Sequence, residues 1–73
     1  MFNQLQNIET MKHANFNTIK RIINNPLNNV NHLPALENLV KSYKSIFGVS
    51  NLSLRLEAIL TIKSYDLVTK VGV

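Results

Sequence analysis

The sequence predicts an all-α fold, a small bundle of three or four helices in one domain. Three observations carry this. At 73 residues the chain has room for a single domain. Apolar residues recur at helical spacing through its first two-thirds, and a proline and a glycine bracket its clearest apolar stripe. One competing pattern, an alternation of apolar and polar residues from about residue 52, leaves open an α+β fold with a C-terminal β-hairpin.

The first element lies between Phe2 and Asn24. Phe2, Leu5, Ile8, Met11, Phe16, Ile19, Ile22 and Ile23 fall on one half of a helical wheel. Lys12 and Asn15 intrude on that half, so the spacing predicts either one kinked helix or two short ones. The break is expected between His13 and Asn17, with Asn15 or Asn17 capping the second segment. Residues 24–33 read as a loop, because Pro26 disfavours helical geometry at Asn25 and the asparagines around it favour turns. The chain holds eleven asparagines, and turn and cap chemistry accounts for that cluster without any asparagine-specific function.

The next helix is expected over Pro34 to Phe47. Leu36, Leu39, Val40, Tyr43, Ile46 and Phe47 fall within an arc of about 120° at the helical rotation of ~100° per residue. Pro34 suits the first helical turn and Gly48 the position just past the end. From Leu52 to Lys63 two periods compete. Leu52, Leu54, Leu56, Ala58, Leu60 and Ile62 alternate with residues that are polar except for Ile59, as in a strand. Helix is preferred, because Leu, Arg, Glu and Ala favour it and the run is long for a strand. As a helix it has two apolar faces. Leu52, Leu56, Ile59, Leu60 and Leu67 form one, and Leu54, Ala58, Ile62 and Tyr65 form the other. The tail, 67–73, reads as a frayed end or a short edge strand, and the Pro34–Phe47 helix is expected to pack between the other two.

Composition narrows the function classes. Hydrophobic residues make up 45% and charged residues 16%, which argues against disorder. The absence of cysteine removes disulfides and thiolate metal sites. A chain this short buries roughly 60% of the surface its unfolded form exposes, so a partner is an attractive source of further stability. The net charge is +4, but the eight basic residues are interleaved with the four acidic ones and do not cluster. No apolar run is long enough to cross a bilayer, and the opening residues carry no basic or apolar leader pattern, so a cytoplasmic protein is expected. His13 and His32 sit in polar, turn-like settings without ligand or base spacing, and are read as surface or capping residues. Two glycines cannot build a phosphate-cradling loop. No enzyme activity, cofactor, metal or small-molecule substrate is expected.

Two functional readings follow. The first is a non-enzymatic protein–protein interaction module, an adaptor, inhibitor or regulatory subunit that homodimerises or docks on a larger protein. Its candidate interface is Leu54, Ala58, Ile62 and Tyr65, the face left over once the rest of a short chain has covered the other. The alternative is a DNA-binding regulator. Residues 42–57 can be laid on a helix-turn-helix, with the Gly48-Val49-Ser50 turn leading into a recognition helix. That places Ser50, Asn51, Ser53 and Arg55 as candidate DNA contacts. Two residues depart from the motif: Lys44 falls where a small residue is needed, and Glu57 where an apolar one belongs.

Overall fold

A computed structural model describes residues 4–72, with side chains from 7 to 70. Over these the chain forms three α-helices, α1 (Gln4–Ile23), α2 (Leu33–Phe47) and α3 (Asn51–Gly72), with one 3₁₀ turn at Val30–His32. No strand occurs among the described residues, so the competition over residues 52–63 resolves to helix and the C-terminal hairpin is not formed. The tail likewise continues α3 as far as Gly72. Val73 and Phe2 lie outside the described residues, as does the Leu5 side chain.

Of the two alternatives for the first element the chain forms one helix, which runs unbroken for 20 residues and does not divide into two. Lys12 explains why its charge is tolerated. Its stem is half-buried while its amine reaches Glu9 at 3.4 Å, so the apolar part of the side chain packs and the charge stays at the surface. Asn15 is exposed and needs no break to accommodate it. Among its described side chains the predicted apolar face packs unevenly. Phe16, Ile19 and Ile23 are buried, whereas Ile8, Met11 and Ile22 remain largely exposed.

The asparagines close α1 and start the next element. The Asn28 amide donates to the carbonyls of Ile22 at 2.7 Å and Ile23 at 3.1 Å, satisfying groups that the helix end would otherwise orphan. The Leu27 N–H donates to the Asn25 side chain at 2.9 Å, forming a local turn across Pro26. Asn29 caps the 3₁₀ turn: its side chain accepts from the Asn31 N–H at 2.9 Å, while its own N–H donates to His32 Nδ1 at 3.1 Å. His32 is thereby a capping residue.

In α2, Leu36, Val40 and Tyr43 are buried, and Leu33, Leu39 and Phe47 pack at the edge of the core. Ile46, assigned to the same stripe by periodicity, is instead exposed. Gly48 ends the helix at φ 83° and ψ 177°, a region that essentially only glycine occupies, and its N–H donates to the Lys44 carbonyl at 2.8 Å.

The helices run up, down and up. Lys44 pairs with Glu57, and Glu37 shares a groove with Ser64 and Val68, so moving back along α2 means moving forward along α3. Phe16 lies beside Arg55, and Asn24 beside Ile62 and Lys63, so α1 and α3 are parallel neighbours. All three helices touch one another, and α2 is therefore not a spacer between the other two. The core gathers Phe16, Ile19, Ile23, Leu36, Val40, Tyr43 and Leu56. One long-range polar tie crosses it, the Tyr43 hydroxyl donating to the Lys12 carbonyl at 2.9 Å.

Candidate interaction surface

The frame of α3 follows from its cap. Ser50 precedes the helix, and the Ser53 N–H donates to its hydroxyl at 3.4 Å. The Ser53 hydroxyl in return accepts from the Ser50 N–H at 2.8 Å and faces the Ser50 carbonyl at 3.0 Å. This reciprocal arrangement is a capping box with serine in the position usually held by Glu or Gln. It fixes the first turn, and everything after follows at ~100° per residue.

With that frame, Leu56 and Leu67 are buried, and Leu52, Ile59 and Leu60 are packed against the core. The first apolar face predicted from sequence thus covers the bundle. The second face points away from it. Leu54 is 52% exposed, Ile62 71% and Tyr65 76%, and Ala58 is exposed between them. The structure brings these four candidate interface residues together on one side of one helix.

Two residues that were not singled out from sequence belong to the same stripe. Thr61 and Val68 complete the series Leu54, Ala58, Thr61, Tyr65, Val68, whose steps of four and three residues are the heptad spacing of a helix–helix seam. Val68 is exposed, and the Thr61 hydroxyl donates to the Glu57 carbonyl at 2.8 Å, so it presents no free donor. Thr69, on the Ile62 edge, does the same with the Tyr65 carbonyl at 2.7 Å. The heptad spacing was present in the sequence but hidden beneath the stronger two-residue alternation of the same leucines.

The candidate DNA contacts separate. Asn51 and Arg55 are exposed, Ser50 is half-buried as the helix cap, and Ser53 is fully buried with its hydroxyl engaged in the capping box. The Ser53 hydroxyl thus faces the helix cap and not the solvent. Across the turn, α2 and α3 run in opposite directions. The two residues that depart from the motif are the ones that pair, Lys44 with Glu57 at 3.0 Å.

Among the described residues no helix is long and apolar enough to cross a membrane, and no group of three or more His, Asp or Glu side chains is placed to hold a metal ion. His13 sits at the surface of α1, 3.8 Å from Glu9. No family model, curated protein or solved structure matches the chain.

Proposed function

We propose that the chain is a small cytoplasmic, non-enzymatic interaction module, an adaptor, inhibitor or regulatory subunit that engages another polypeptide through the outward face of α3. One observation carries this reading: an uncharged seam of Leu54, Ala58, Thr61, Tyr65 and Val68 stays in solvent at heptad spacing on the side of the helix opposite the core. Scattered exposed apolar residues are ordinary on a surface. An aligned set rimmed by polar residues marks a contact site instead.

The test is Ile62→Asp. The substitution is expected to leave far-UV helicity intact, because Ile62 contributes nothing to the core, and to abolish association with a partner or with a second copy. Association that survives the substitution unchanged contradicts the proposal. So does binding to mixed-sequence duplex DNA at low salt that Arg55→Ala weakens and Ile62→Asp does not, since that outcome belongs to a DNA-binding regulator.

A further inference from the structure

We infer that the occupant of the α3 face is an amphipathic helix of a different protein, apolar along one stripe and acidic along the edge that comes to lie over α1. This rests on the reading of that face as an interface and names what covers it. The stripe itself is uncharged, but its two borders differ. On the α2 side stand Glu57, already paired with Lys44 at 3.0 Å, and then Ser64 and Glu37.

On the α1 side, the Arg55 guanidinium lies 4.8 Å from the centre of the Phe16 ring, and the Lys20 amine lies 5.9 Å from the same centre. Neither cation has a carboxylate within ion-pair distance among the described residues. Phe16 is buried in the core, so the ring that holds them is a fixed platform. Further along this border Lys63 and Asp66 sit beside Ile62 and Asn24, and the Lys63 amine donates to the Asn25 carbonyl at 3.4 Å. Asp66 offsets one charge and the border remains positive. A guanidinium already ordered against a ring loses little further freedom on meeting a carboxylate, which favours it as a binding contact.

Charge decides between occupants. If α3 packed antiparallel on α3 of a second copy, the symmetry would set each border against its own counterpart, where Asp66 could answer Arg55 but Lys20 and Lys63 would face their like, between chains that each carry +4. If it packed parallel, Arg55, Lys20 and Lys63 would meet Glu57, whose charge Lys44 already neutralises, and Glu37 alone beyond it on that border. A phosphodiester backbone would match Arg55 and Lys20 but leave Leu54, Ile62 and Tyr65 uncovered. A foreign helix with apolar seam positions and glutamate or aspartate along one flank satisfies both the stripe and the border.

A displayed library of single helices tests this, with apolar residues fixed at the seam positions and flanking positions drawn from Glu, Gln and Lys, selected on the full chain. Recovered clones are expected to carry Glu in preference to Lys along one flank. A synthetic clone should lose about tenfold in affinity, worth ~1.4 kcal/mol, when Arg55→Gln and Lys20→Gln are combined. Ile62→Asp should abolish its binding. Clones without an acidic bias, or affinity indifferent to the two glutamine substitutions, overturn the acidic partner while leaving the interface in place. A homodimer in sedimentation that Ile62→Asp dissociates overturns it equally. Failure to recover any clone, with no dimer present, sinks the interface as well.

Discussion

Ser53 shows how much one buried hydroxyl decides. It is fully enclosed, yet its polar atom is satisfied by the backbone of Ser50, so its burial carries no unmet hydrogen bond. Ser53→Ala orphans the Ser50 N–H and is expected to lower stability by about 1 kcal/mol in urea unfolding, within the range of lost helix caps. A neutral substitution would contradict the capping role. Tyr43 is the second such residue, its hydroxyl tied to the Lys12 carbonyl. Burial, and secondarily the negative charge of Glu9, raise its pKa above the ordinary 10.0. The folded state therefore holds the phenol proton more tightly than the unfolded chain does. The stability this supplies is complete below pH 10.0 and is lost as pH rises through the folded value. Urea midpoints should stay flat towards that pH and then fall, and Tyr43→Phe should remove its share of the fall while costing about 1 kcal/mol at neutral pH. An identical alkaline fall in the phenylalanine variant would show that Tyr43 is not its source.

At the scale of elements, the α2–α3 hairpin is set by the Gly48 turn and by apolar packing, and the Lys44–Glu57 pair decorates it. Both partners are substantially exposed, at 44% and 40% of their side-chain surface, so the pair is screened by solvent. A double-mutant cycle with Lys44→Ala and Glu57→Ala is expected to give a coupling below about 1 kcal/mol that shrinks as salt is added. A coupling of several kcal/mol, insensitive to salt, would mean that the pair organises the hairpin. The elements differ in how far they could be read from sequence. Helix α2 announced itself through Pro34, Gly48 and a single apolar arc, because all three signals agree. Lys12 misled the reading of α1, since a wheel treats lysine as wholly polar while its stem can pack. In α3 the alternation of Leu52, Leu54, Leu56, Ala58 and Leu60 imitates a strand because the helix has apolar residues on opposite faces. What tells the two readings apart is tertiary: Leu56 joins the core with residues of α1 and α2, and Leu54 stays outside it, half exposed.

Across the whole molecule, two faces of α3 divide the work. One closes a thin core, of the kind that in so short a chain seldom supplies more than roughly 3–5 kcal/mol. The other contributes nothing to that core and stands in water. The sequence made this division visible, since a short chain cannot cover both faces. The border charges were not legible, because Lys20 and Arg55 lie far apart in sequence and meet only through Phe16. The central claim, that the outward stripe serves association and not folding, is tested most directly by the combined variant Leu54→Ser and Ile62→Ser. Its urea unfolding and its binding to a selected helix are measured on the same preparation, beside Leu56→Ala. The expected result is folding stability within about 0.5 kcal/mol of the parent chain, as for surface substitutions, with binding lost. Leu56→Ala should cost about 2–5 kcal/mol. If the serine variant instead unfolds as readily as Leu56→Ala, or binds as the parent does, the stripe is not an interface.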